Sequence, residues 1–122
     1  MLERDFQSHF NKWLKNVHKQ SGAFELKVAT GNRLPFSAVK EHQIKALEQV
    51  RHSTFVYKIS DFSQMQQPFD CFSFTRQPAW IVIKYEKFFC LITIDAFQAE
   101  RFKSKRKSLT SERAREIASI VI

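Results

Sequence analysis

Over residues 2–18, Leu2, Phe6, Phe10, Trp13, Leu14 and Val17 recur at helical spacing and predict an amphipathic helix with one buried stripe. Lys19 to Gly22 closes it, with Gly22 as the turn residue. Residues 22–29 then switch to a period of two. In a strand, Phe24, Leu26 and Val28 face a core while Glu25 and Lys27 project together from the other side. A loop follows at 29–33. Pro35 precedes a helix over about 37–51, with Ser37 as N-cap and Val39, Ile44, Leu47 and Val50 turned inward. Alternation resumes at 53–60, with Phe55, Tyr57 and Ile59 on one face, before a polar loop at 61–68. Residues 69–75 and 79–85 read as two strands of a hairpin around Arg76, Gln77 and Pro78. Another strand covers 88–94, then a short turn or helix over 95–100. Leu109, Thr110 and Ser111 open a last helix whose end, 117–122, is apolar. The order α-β-α-β-β-β-β-α predicts a mixed α+β (α/β) domain, a mixed sheet flanked by helices.

Composition narrows this picture. The 122 residues suit a single domain with one core, and 43% hydrophobic residues describe a globular chain rather than a disordered one. Thirteen Phe point to an aromatic-rich core with rings available for an interface. No apolar run reaches the roughly 18 residues of a membrane span. The charged amphipathic start lacks the apolar stretch of a secretory leader, so the expectation is an intracellular protein with no membrane partner. Cys71 and Cys90 show no metal-type spacing and are expected to be buried free thiols. Twenty Lys and Arg against twelve Asp and Glu give +8, a balance that favours a polyanion such as nucleic acid.

Glu25 and Lys27 are the sharpest candidates for chemistry. A carboxylate that holds a divalent cation beside an ammonium that steadies a water or phosphate is a minimal phosphodiester-cleaving pair. The spacing alone is common, and the alternative is a solvated ion pair on an exposed strand. Asp70, after Pro68 and Phe69 at the start of a strand, suits either a metal ligand or a loop cap. Asp61 reads as a turn former and Asp95 as a cap. His9, His18, His42 and His52 form no spaced cluster. Arg101, Lys103, Lys105, Arg106 and Lys107 make a basic run that is a solvated loop by default and a phosphate-contacting element beside a nuclease site. Arg33 and Lys40 add to it.

The segment Phe24-Glu25-Leu26-Lys27, Leu34-Pro35-Phe36, Glu41-His42-Gln43 and Leu47 resembles the core of RecU-type Holliday junction resolvases, in the PD-(D/E)xK nuclease superfamily. The match covers roughly residues 22–60. The resemblance implies a restriction-endonuclease-like sheet and a metal-dependent endonuclease acting on branched DNA as a homodimer. It implies Glu25 as metal ligand, Lys27 as catalytic lysine, Gln43 as the helix glutamine near the site and Glu3 as the first-helix glutamate. The backbone carbonyl of Leu26 and Asp70 would complete a shell for Mg2+ or Mn2+. One departure stands out: the family's Asp precedes the E-x-K strand, whereas Asp70 comes after it. Asp70 resembles the Pro-Asp hairpin in a migrated, permuted position, and the compact size with no expected leader agrees with a phage or mobile-element origin. The strand Trp80 to Lys84 then carries Val82 where an acid is usual. Lys84 therefore competes with Lys27 as the catalytic lysine, or serves as a DNA contact. A nuclease of the same fold with a repair or restriction-like substrate is the alternative enzyme. A non-catalytic basic nucleic-acid-binding module is the alternative from another class, and a docking accessory protein a third.

Overall fold

A four-stranded mixed sheet organises the chain in the computed structural model, which describes residues 2–58 and 69–122. The helices are α1 (Glu3–Trp13), α2 (Glu41–His52), α3 (Ile94–Lys103) and α4 (Ser111–Ile117). The strands are β1 (Ala23–Val28), β2 (Arg33–Pro35), β3 (Thr54–Lys58), β4 (Cys71–Thr75), β5 (Ala79–Lys84), β6 (Phe89–Thr93), β7 (Ser108–Thr110) and β8 (Ile120–Val121). The main sheet has the order β1-β5-β6-β8. Its β1 runs parallel to β5, and the other two pairings are antiparallel. β2 pairs with β7, and β3 with β4, in two small antiparallel ribbons. No described helix is long and apolar enough to cross a membrane.

Both faces of the sheet are covered, so β5 and β6 read as continuous apolar runs rather than alternating ones. On one face Phe6 and Phe10 of α1 pack on Val82 and Leu91, with Phe24, Leu26, Val28 and Trp80 around them. On the other, Ile81, Ile83 and Ile92 meet Ile44 and Leu47 of α2, Phe97 of α3, Leu109 and Ala114. Phe36 sits edge-on to Phe97, and the buried Tyr85 hydroxyl donates to the carbonyl of Leu109 at 3.0 Å. The assignment of Phe24, Leu26 and Val28 to a core face agrees with this layering.

Several boundaries differ from the sequence expectation for local reasons. α1 stops at Trp13 and a wider π turn, Leu14–His18, follows. The turn stacks His18 on Trp13 at 4.9 Å and leaves Val17 66% exposed. The left-handed residue that ends it is Lys19 (φ 54°), not Gly22. Gly22 is needed for space: a Cβ there would lie 3.0 Å from the carbonyl oxygen of Pro78. β1 and β2 are joined by a tight turn, bridged between Thr30 and Arg33, whose central residues Gly31 and Asn32 both take positive φ. Ser37 lies inside a 3-10 turn, Phe36–Ala38, and caps nothing. α2 starts later, with Lys40 as N-cap, and Val39 is buried ahead of it.

Residues 69–85 depart furthest from the pairing their sequence suggests. β4 and β5 do not form a hairpin: β4 pairs with β3, and β5 enters the main sheet between β1 and β6. The link turns sharply at Arg76 (φ 47°), where the amides of Arg76 and Gln77 donate to the carbonyls of Ser53 and Val50. Thr93, rather than Asp95, caps α3 through its hydroxyl, while Asp95 pairs with Arg51 and His52. The apolar tail returns as β8 beside β6 instead of extending the last helix. Cys90 is a buried free thiol as expected, but Cys71 is exposed. Ile59 and Asp61 lie outside the described residues.

Candidate functional site: a half-buried acid and lysine on an edge strand

Glu25 and Lys27 share the face of β1 that also bears Ala23 and Ala29, the face covered by α2. Their neighbours across the parallel pairing are Ile81 and Ile83, both fully buried. The Lys27 ammonium lies 3.3 Å from a Glu25 carboxylate oxygen, with the side chains only 15% and 27% exposed. This is not a solvated surface pair. At that separation the attraction is about 5 kcal/mol for an effective dielectric of about 20. Desolvating the two ions costs several kcal/mol each. The second term opposes the first, so the pair is weak evidence of a stabilising role.

The register also fixes where the backbone of this strand points. The amides of Ala23 and Ala29 donate to the carbonyls of Pro78, just before β5, and of Lys84 at its end. By the two-residue repeat of a parallel ladder, Glu25 and Lys27 direct their backbone groups to β5 as well. Phe24, Leu26 and Val28 therefore direct theirs away from β5. Among the described strands, β1 has no neighbour on that side. The Leu26 carbonyl is thus aimed away from β5, one residue along the strand from Glu25, and both are hard oxygen donors of the type Mg2+ takes.

α2 follows β1 in the chain and runs back along it. Val50, near its end, adjoins Gly22 and Ala23, so its first turn lies toward the Lys27 end of the strand. Gln43 sits in that turn, where its side-chain oxygen accepts from the amide of its N-cap, Lys40, at 2.9 Å. His42 is exposed. The basic residues gather at the same end of the helix. Arg101 reaches Glu41 at 3.8 Å, tying the end of α3 to the start of α2. The carbonyl of Lys107 accepts from the amide of Phe36, and Arg33 pairs with Thr110 across β2 and β7. Arg33, Lys40, Lys103, Lys105, Arg106 and Lys107 are all exposed around this edge. They are scattered along the sequence, and the pairing of the two short strands draws Arg33 toward the basic run.

Other expected residues fall elsewhere. Lys84 alternates with Ile83 and shares the α1 face with Trp80 and Val82, the opposite face from Lys27. It borders a cleft of about 490 Å3 with Thr30, Asn32 and Glu86, where Asn32 and Glu86 hold each other through two hydrogen bonds. Glu3 opens α1, the helix packed on that same far face. Asp70 is exposed, one residue before β4, at the end of the ribbon away from its junction with β5. Among the described residues no three His, Cys, Asp or Glu side chains form a metal-holding group, so Glu25, Asp70 and Glu3 are not gathered into one.

One feature escaped the sequence reading: an apolar groove of about 280 Å3 beside Ala23, walled by aromatic rings of β3 and β4. The alternation of Phe55 with Tyr57 and of Phe72 with Phe74 was visible. The mutual pairing of the two strands was not, because the loop between them shows no short hairpin signature. Comparison with protein-family models, curated proteins and solved structures finds no match to this chain.

Proposed function

We propose that this protein is a metal-dependent, structure-selective DNA endonuclease that hydrolyses phosphodiesters at four-way (Holliday) junctions, on a restriction-endonuclease-like sheet. The observation that carries the reading is the half-buried Glu25–Lys27 pair on an edge strand, whose intervening Leu26 directs its carbonyl away from the neighbouring strand. Mg2+ is commonly held by one or two carboxylates and keeps several of its waters, so Glu25 and Leu26 fit it as protein donors, and Mn2+ likewise. When bound, the cation supplies charge stabilisation at the phosphate and a water of lowered pKa. Lys27 places its ammonium where negative charge develops on the scissile phosphate, which is the role of a preorganised electrostatic group. α2, packed over Ala23, Ile81 and Ile83, limits the water that reaches the pair. Arg33, Lys40, Arg101 and the basic residues 103–107 position the backbone of the DNA without reading its sequence. A homodimer acting inside the cell would set two such sites against two strands, its two-fold axis matching paired nicks.

A second reading is favoured by a specific observation. Lys27 already pairs with Glu25, and among the described residues no three His, Cys, Asp or Glu side chains gather as a metal-holding group. That arrangement suits a basic nucleic-acid-binding module without catalysis. The two readings separate on a labelled four-way junction and a linear duplex, each with Mg2+ or with EDTA. Paired, Mg2+-dependent nicks confined to the junction support the resolvase. Cleavage of both substrates supports a nuclease of broader substrate range, and tight binding with no cleavage under either condition supports the binding module.

A further inference from the structure

The ribbon of β3 and β4 carries four aromatic side chains on one face, matched in register: Phe55 against Phe74 and Tyr57 against Phe72. The inner tier sits beside Val50 and Ala23. The outer tier does not close over it. Tyr57 and Phe72 lie 5.4 Å apart at 25° and remain 59% and 38% exposed, with Phe69 edge-on to Phe72 at 6.3 Å and half exposed. A short two-stranded ribbon lowers its free energy by covering such rings, so folding alone does not explain their exposure.

Ala23, which floors this groove, is the first of the three same-facing residues Ala23, Glu25 and Lys27. The groove therefore continues the face that bears the acid and the lysine, at the opposite end of α2 from the basic edge. We infer that the groove is a stacking platform for unpaired nucleobases of a DNA strand, whose backbone the basic edge holds. The chemistry of the lining favours this occupant. Every base has a π face that stacks on aromatic rings without regard to sequence. The chain's charge of +8 suits the polyanion that carries such bases, and Lys58 and Arg76 stand exposed at the two ends of the ribbon. The inference rests on the proposed action on branched DNA and adds how an open branch point is distinguished from duplex: through bases released from pairing.

The test uses the full chain, a fluorescein-labelled oligothymidylate and a blunt duplex of the same length. The double variant Tyr57→Ala/Phe72→Ala is expected to weaken single-strand binding roughly 5- to 150-fold per stacked base lost while leaving duplex binding unchanged. The swap Tyr57→Phe/Phe72→Tyr, which keeps the rings, restores it. Tyr57→Ala alone, at a largely exposed position, gives the same direction of change should the double variant fold poorly. Equal weakening on both DNAs, or none, overturns the inference. So does a change of oligomeric state on size exclusion with single-strand affinity untouched, which makes the groove a contact between copies. A wild type that cuts no DNA with Mg2+ yet keeps a ring-dependent preference for single strands leaves the platform standing and removes the nuclease reading alone.

Discussion

The two faces of β1 are built on opposite rules. Toward α1 the strand offers Phe24, Leu26 and Val28, and the ring of Phe10 meets Phe24 at 5.3 Å and Phe89 at 6.1 Å, with Trp13 stacked beside it. Toward α2 the same strand alternates Ala23, Glu25, Lys27 and Ala29, although Ile81 and Ile83 next door are fully buried. The first face is apolar throughout and packs against the α1 layer. The second keeps two charges where larger aliphatic side chains would pack. Sites that sacrifice packing are where function is expected to reside.

Phe10→Ala breaks the apolar face most severely. Removing a fully buried ring leaves a cavity among Phe24, Trp13 and Phe89 and should cost about 3–5 kcal/mol in urea unfolding. The α2 side answers to pH. Burial pushes the Cys90 thiol up to about 12, and the Tyr85 hydroxyl is raised as well, chiefly by burial. The folded state holds these protons while the unfolded chain begins to release its thiol proton near pH 9, so stability is intact below pH 9 and falls as pH rises toward 12. The slope contributed by Cys90 is at most about 1.4 kcal/mol per pH unit. Cys90→Ala removes that contribution, which urea titrations at stepped pH detect.

Glu25 and Lys27 reverse the sign expected of a core. Glu25→Leu alone strands a half-buried ammonium and should destabilise by roughly 1–3 kcal/mol. Glu25→Leu with Lys27→Leu should be neutral or stabilising by as much as about 4 kcal/mol, since an apolar pair replaces desolvated charges. A double variant less stable than the single one would show that the pair serves the fold. The smallest effect is expected of Gly22→Ala. Its Cβ would press on the Pro78 carbonyl at 3.0 Å and cost about 1 kcal/mol, seen as a lowered Tm without a change at Phe10 or Cys90.

How much of this was legible in the chain follows from the range of each interaction. The alternation from Phe24 to Val28 gives β1, its two faces and the association of Glu25 with Lys27 directly, because a period of two needs no tertiary information. The helix limits were less readable. A π turn moves Val17 to solvent, and Lys40 displaces Ser37 as cap through a hydrogen bond to Gln43. Partner choice was least readable of all. Arg76 and Pro78 looked like a hairpin turn, yet β5 lies between β1 and β6, and only the whole sheet decides that. The same limit separated the basic residues 101–107 from Arg33 until β2 and β7 paired, and hid the Tyr57–Phe72 tier until β3 met β4.

The most direct test of the Glu25–Lys27 assignment is the single-turnover cleavage rate of a four-way junction in Mg2+ for wild type and Glu25→Gln, with junction affinity measured on both proteins. Retained affinity with cleavage slowed at least about 100-fold is the expected result, because the amide keeps the shape of the side chain and removes its charge. Equal cleavage by both proteins, or binding without cleavage by either, would contradict a catalytic role for this pair and leave it a structural ion pair on the edge of the sheet.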